Sequence, residues 1–283
     1  MYLLPETGRK LAFSLVATLV LLAPAVAQAL PVPPTFNWRA SAPGTDPAQW
    51  NATVGTNQWT VSGTTSAATT TTFPGITGSF DMGTGDIISG VSFDSIAPGD
   101  PSNENMSLEL WFRPASLSGG QQVLFETGGN QDGLALLLNN NTLTLRAKDS
   151  GTIISTSTTL AANAGEFYQA AITISLNGTA SLYVDGIFQS STPAAGLSDW
   201  SNGNGAGIGT RVGQLGSNSG SALNGYGDFI GEIALMRFYR DQVLSPLEVT
   251  QNFNAVATPE PGTAVLVALG LVGLAARRRR ANR

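Results

Sequence analysis

From Tyr168 to Leu176 an apolar side chain falls on every second residue: Tyr168, Ala170, Ile172, Ile174 and Leu176. Only an extended strand sends alternate residues to one face. Asn177-Gly178 follows, a pair suited to a type I′ hairpin turn, and leads into Ser181 to Val184. Asp185-Gly186 then turns the chain again into Ile187 to Gln189. The same pattern of short strands and turns runs through the middle of the chain. Leu108, Leu110 and Phe112 share one face of Ser107 to Arg113, while Glu109, Trp111 and Arg113 share the other. Val123 to Glu126 and Leu134 to Leu138 are short apolar runs, and Asn139 to Asn141 turn the chain into Leu143 to Ala147. Phe229 to Arg240 is apolar on both faces, at Ile230, Ile233, Ala234 and Leu235, as a central strand would be. One short helix fits: Ser245 as N-cap, Pro246 at the first helical position and Glu248 closing a capping box. The predicted fold class is all-β, an antiparallel two-sheet sandwich or jelly roll.

Residues 30–78 differ. They read as a polar Thr/Gly-rich lead-in, with Trp38, Trp50 and Trp59 set among Ser, Thr and Gly and a low-complexity run at Thr69 to Thr72. Gln58 to Ser62 and Thr77 to Phe80 are the segments able to add edge strands.

Both ends read as addresses rather than fold. Arg9 and Lys10 precede the apolar stretch Leu11 to Ala23, and small residues follow at the spacing signal peptidase accepts. Cleavage is expected after Ala29, with Ala27 as the alternative, so residues 1–29 form a signal helix. An uncleaved anchor is the competing reading, but the apolar segment is short for a span. At the other end Thr258-Pro259-Glu260-Pro261-Gly262 precedes an apolar run from Thr263 to Ala276, and Arg277, Arg278, Arg279 and Arg280 follow. As a helix that run extends about 21 Å, short of the roughly 30 Å hydrocarbon core. The arginines stay cytoplasmic under the positive-inside rule, which leaves the remainder of the chain outside.

The order of these parts resembles the PEP-CTERM sorting signal of Gram-negative bacteria, over residues 257–283. The resemblance implies a C-terminal hydrophobic helix, transient membrane association through 263–276, and processing by an exosortase near Pro259, Glu260 and Pro261. It also links the chain to bacteria that make exopolysaccharide and biofilm.

A second resemblance covers residues 79–256. Ser107-Leu108-Glu109-Leu110-Trp111-Phe112, Val123-Leu124-Phe125-Glu126-Thr127-Gly128, Leu182-Tyr183-Val184-Asp185-Gly186 and Ile230-Gly231-Glu232-Ile233 through Phe238-Tyr239-Arg240 occur in that order. With Phe167-Tyr168-Gln169 before the third, the set resembles the LamG-like jelly roll of the concanavalin A-like lectin and glucanase superfamily. Tyr168-Gln169 departs from that family's frequent Trp-His pair, a difference read as packing.

Composition narrows the chemistry. There is no Cys and no His, which removes disulfides, thiol catalysis, the commonest general base and the commonest metal ligand. Between residues 30 and 258 seven Lys and Arg stand against seventeen Asp and Glu, a net charge of about −10 that argues against nucleic acid. A retaining glycosidase needs two carboxylates about 5–5.5 Å apart. The family's glucanases place theirs in Glu-x-Asp-x-x-Glu, which is not found here. Glu104 and Glu109 are the nearest substitutes, and they read as solvent-facing or capping groups at a strand edge. A Ser-Lys pair has only Lys148 to draw on once the signal is removed. No catalytic residue is therefore predicted.

Asp132-Gly133-Leu134-Ala135-Leu136 after Gly128-Gly129 resembles the laminin G segment whose Asp binds calcium at the sandwich rim. Asp132 and Asp199 are thus the metal candidates, and calcium the only cofactor considered. Trp200 with Asn202 and Asn204 forms a candidate sugar-stacking site, with Tyr226 a second aromatic. Sequons at Asn51, Asn105, Asn140 and Asn177 carry no weight in so Thr-rich a chain. The expected function is an exported, non-catalytic surface or matrix protein that binds glycan or protein as an adhesion module. Its expected partners are signal peptidase and exosortase during export, then exopolysaccharide or surface glycans. A purely structural matrix component and a glycan-cleaving enzyme are the alternatives.

Overall fold

The computed structural model describes residues 30, 32–40, 49–54, 58–63, 66–68, 73–90, 105–129, 132–162, 165–197, 200, 205–210, 223 and 225–258. Among them lie seventeen strands: β1 (Phe36–Arg39), β2 (Gln49–Val54), β3 (Gln58–Ser62), β4 (Ser66–Ala68), β5 (Ser79–Met82), β6 (Ile87–Gly90), β7 (Met106–Pro114), β8 (Gln121–Gly128), β9 (Gly133–Asn139), β10 (Thr142–Asp149), β11 (Thr152–Thr159), β12 (Tyr168–Ile174), β13 (Thr179–Val184), β14 (Ile187–Pro193), β15 (Ala206–Ile208), β16 (Gly227–Asp228) and β17 (Gly231–Arg240). One helix, α1 (Pro246–Ala257), follows them. The expected signal helix and C-terminal hydrophobic helix lie outside the described residues.

The strands form the two antiparallel layers that alternation predicts. In the first sheet β14, β13, β12, β7 and β17 lie side by side. The far edge of β17 is shared, with Gly231–Ile233 against β5 and Leu235–Phe238 against β1. In the second sheet the order is β11, β10, β9, β8, β15, β6, β3, β2, and the short β16 lies parallel to β8. β2 belongs to both layers: Trp38 of β1 opposes Ala52, while Trp59 of β3 opposes Trp50. At the opposite margin β11 and β14 are bridged by side chains. Thr156 Oγ1 donates to Ser190 Oγ at 2.8 Å, and Thr158 Oγ1 donates to Gln189 Oε1 at 3.0 Å. The result is a nearly closed sandwich.

The segment read as a polar lead-in supplies core. Trp38, Trp50 and Trp59 are essentially fully buried. Trp38 meets Trp59 edge-on at 5.8 Å, Trp50 meets Phe80 at 5.4 Å, and Phe36 stacks on Trp38 and Phe238. Each such ring removes 150–250 Å² from water, an upper estimate of about 4–6 kcal/mol. β11 had no sequence signal, because its Thr and Ser residues show little apolar alternation.

The hairpin turns are of two kinds. Asp185 (φ 51°) and Gly186 (φ 76°) are both left-handed, as a type I′ turn requires. At Asn177-Gly178 only Asn177 (φ 58°) is left-handed, and Ser175 N–H reaches Thr179 O, so this loop is not the predicted type I′ pair.

α1 begins as predicted. Ser245 Oγ accepts from Glu248 N–H, Glu248 Oε2 accepts from Ser245 N–H, and Pro246 sits at the start. Its buried stripe of Val249, Asn252 and Val256 packs on the outer face of the first sheet. That face therefore lies under cover, which decides the fate of its polar residues.

Candidate binding site

Glu109 occupies the middle of β7, between Ala171 of β12 and Arg237 of β17. It was expected on a strand edge facing solvent. The structure corrects this: its carboxyl is fully buried, because α1 covers the outer face of a central strand. Oε1 accepts from Gln169 Nε2 at 3.2 Å and Asn252 Nδ2 at 3.0 Å; Oε2 accepts from Arg237 Nη1 at 3.2 Å and Tyr239 Oη at 3.1 Å. The Arg237 guanidinium lies over the Trp111 ring. Burial pushes the Glu109 carboxyl above the ordinary glutamate range, with Arg237, Asn252 and Tyr239 pulling it partly back. Burial likewise raises the Tyr239 phenol. All four oxygen-bound donors come from the first sheet and α1, so the cluster ties the helix to the sandwich. Glu104 lies outside the described residues.

The other residues singled out in the sequence are dispersed. Trp200 was read as an exposed sugar-stacking ring, yet it is 3% exposed and its edge meets Phe238 at 6.1 Å. Ala194, Leu197 and Trp200 all enter the main core, so hydrophobic burial claims the indole. Tyr226 is half-buried against Val123, Ala135, Leu137 and Leu223 on the outer face of the second sheet. Asp132 closes a turn: its Oδ1 accepts from Ser150 N–H at 3.0 Å and its carbonyl from Gly129 N–H at 2.8 Å. Gly128 (φ 96°) permits that turn, since a Cβ there would fall 2.2 Å from Asp132 O. Among the described residues no three Asp or Glu gather as a metal site. Asp199, Asn202 and Asn204 lie outside the described residues. So do Ala27, Ala29, Pro259, Glu260, Pro261 and Arg277 to Arg280.

One cleft at the rim was not legible in the sequence. It is a cleft of about 330 Å³ between the β7–β8 and β11–β12 connections, lined by Arg113, Ser116, Leu117, Ala162, Glu166 and Tyr168 among others. Its walls are fixed from behind. Arg113 is ion-paired with Glu232, which also accepts from Ser79 Oγ, and its Nη1 donates to Gly165 O at 3.2 Å. The Arg113 guanidinium also lies over the Phe167 ring, 5.0 Å from its centroid. Tyr168 Oη donates to Ala161 O at 2.6 Å while its ring stacks on Phe112. The cleft offers a held cation, a carboxylate, a hydroxyl and an apolar wall. That set can pair with hydroxyls and ring faces.

Two antiparallel layers in this strand order, with a cleft at the rim, define the class as an all-β jelly-roll sandwich. Comparison with known proteins places the chain within that class. Residues 89–250 match the family model described as the concanavalin A-like lectin/glucanases superfamily, and the chain belongs to that superfamily. Residues 257–280 match the PEP-CTERM protein-sorting motif, which marks the chain for export with exosortase processing. No curated protein matches. Among solved structures the chain is similar to the binding domain of botulinum neurotoxin DC in complex with SialylT (12% identity, TM-score 0.56, 79% of this chain and 51% of that one). It is also similar to the receptor binding domain of botulinum neurotoxin C/D mosaic serotype (14%, 0.59, 80% and 54%) and to the botulinum neurotoxin serotype G binding domain (12%, 0.59, 78% and 50%). The chain thus spans about half the length of these structures, and at such identity the likeness is one of fold.

Proposed function

We propose that this protein is an exported, non-catalytic binding module that takes a hydroxyl-rich glycan into the rim cleft at Arg113, Ser116, Ala162 and Glu166. In this reading signal peptidase removes residues 1–29 and an exosortase acts near Pro259 to Pro261. The sandwich is then left at the cell surface or in the extracellular matrix. The cleft carries the reading: its lining combines polar groups held by backbone and ion-pair contacts with an apolar wall, as sugar sites require. The binding domains of similar fold, one of them complexed with SialylT, support a ligand of carbohydrate class.

A glycan array probed with the purified protein tests it. The wild type should bind a restricted set of sugars, and Ala162→Trp, which fills the cleft from an exposed position, should weaken that binding at least tenfold without lowering the melting temperature. Undiminished binding by Ala162→Trp rejects the cleft. No bound glycan on the array, with or without calcium, rejects the glycan reading and leaves a structural matrix role.

A further inference from the structure

Among the described residues six large apolar side chains stay exposed, and four of them gather at one place. Ile187 and Phe188 open β14 just after the Asp185-Gly186 turn, while Val243 and Leu247 flank the start of α1. Leu247 is 65% exposed and Ile187 64%. Close contacts hold the turn against the helix. Thr250 Oγ1 donates to Gly186 O at 2.6 Å, and a Cβ on Gly186 would fall 3.0 Å from Phe253 Cβ. Leu247 lies one turn ahead of Thr250 on the helix surface. The Phe188 ring meets Tyr183 edge-on at 5.6 Å, and Tyr183 packs with Leu244 and Val249 beneath the same end of α1. Apolar side chains scattered singly on a surface need no reason, but a group of them marks a contact face.

The carboxylates around this patch are engaged within the fold. Asp185 Oδ1 accepts from Gln169 N–H at 2.8 Å, Glu248 Oε2 accepts from Ser245 N–H at 2.7 Å, and Asp241 pairs with Arg240. Gln251 and Asn254, further along the same side of the helix, are uncharged. Such a face suits an apolar partner, and the course of the chain says which one. α1 ends at Ala257, and the apolar run of the sorting motif begins at Thr263. The residues between can extend about 20 Å at most, close to the roughly 18 Å length of the twelve-residue helix itself. While the apolar run sits in a bilayer, α1 is therefore kept at the lipid surface.

We propose that, until the sorting tag is removed, the sandwich docks on the lipid bilayer through Ile187, Phe188, Val243 and Leu247. Four side chains bury too little apolar area to hold a protein diffusing in solution, so the tether supplies the effective concentration that makes the contact persist. The net charge of about −10 between residues 30 and 258 gives no attraction to anionic lipid, and apolar burial carries the contact. Docking ends when the tag is cut, which releases the sandwich from the membrane. The proposal rests on the reading of residues 257–283 as a membrane-associated tag and shares no residue with the rim cleft.

The chain has no Cys, so one engineered thiol reports one position. Residues 30–283 carry either Gln251→Cys, beside Leu247 on α1, or Thr60→Cys, exposed on β3 of the other sheet. Each is labelled with a nitrobenzoxadiazole dye and reconstituted in dimyristoylphosphatidylcholine vesicles, with or without doxyl-labelled phosphatidylcholine. The thin hydrocarbon of that lipid suits a short apolar run. Dye at position 251 should shift to the blue and lose at least half its emission to the doxyl lipid, whereas dye at position 60 should do neither. Adding Ile187→Asp and Leu247→Asp should cut the quenching at 251 at least fivefold without lowering the melting temperature, since both positions are exposed and an acid suits the first helical turn. The signal should persist at less than one protein per vesicle. Protein that fails to float with the vesicles defeats the tag reading and the docking with it. Protein that floats but shows no quenching at 251, equal quenching at both positions, or quenching that survives the two Asp substitutions overturns the docking alone. A signal lost on dilution below one protein per vesicle assigns the patch to a second copy of the chain and overturns the lipid proposal as well.

Discussion

The buried carboxyl of Glu109 shows how one acidic side chain can be tolerated at the centre of a sheet. It is surrounded by four donors, yet desolvation still outweighs them and its folded pKa lies above the ordinary 4.5. A raised carboxyl pKa means the folded state holds its proton more tightly than the unfolded chain does. The stability it contributes is complete below 4.5 and is lost as pH rises through the folded value. Two unequal outcomes follow. Glu109→Gln, which resembles the protonated acid, should cost under about 1 kcal/mol at pH 7, and wild type should gain on it as pH falls toward 4.5. Arg237→Met, which strands the carboxylate, should cost about 3–5 kcal/mol. Urea melts at pH 7 and pH 5 measure both. Equal losses for the two variants at pH 7 would show that the ion pair, not burial, dominates.

At the scale of elements, α1 acts as a lid on the first sheet. Asn252 Nδ2 donates to both Glu109 Oε1 and Tyr239 Oη, while Val249 and Val256 fill the apolar clusters on either side. The far end of the helix runs into the sorting motif, whose matched residues begin at 257. Its near end depends on the reciprocal cap between Ser245 and Glu248. Ser245→Ala removes one half of that cap and should destabilise the protein by about 1 kcal/mol. The loss should appear in denaturant melts, and hydrogen exchange should quicken first at the amides of residues 247–249. Protection unchanged at those amides would mean that sheet packing alone holds the first turn.

At the scale of the whole molecule, the sandwich closes through a segment that looks dispensable in sequence. β1 covers the far edge of β17, β2 passes from one sheet to the other, and their tryptophans fill the space between the layers. Losing a buried Trp or Phe costs about 3–5 kcal/mol. Removing Phe36, Trp38, Trp50 and Trp59 together takes away about 12–20 kcal/mol, as much as or more than the roughly 5–15 kcal/mol by which domains are stable. A fragment of residues 79–258 should therefore lack near-UV circular dichroism and unfold without cooperativity, whereas a sharp urea transition would contradict this account.

Strand alternation at Tyr168 to Leu176, the left-handed Asp185-Gly186 turn and the capping residues of α1 could be read from the chain because each is set by neighbours a few residues away. The same holds for the excluded chemistry, since a chain without Cys or His cannot acquire either by folding. What tertiary structure decided was which faces are covered. Glu109 and Trp200 looked accessible, but α1 buries the first and the main core claims the second. Neither covering can be inferred from local periodicity, which records alternation without saying what lies against the outer face. The rim cleft arises the same way, from residues of two connections far apart in sequence that the fold brings together.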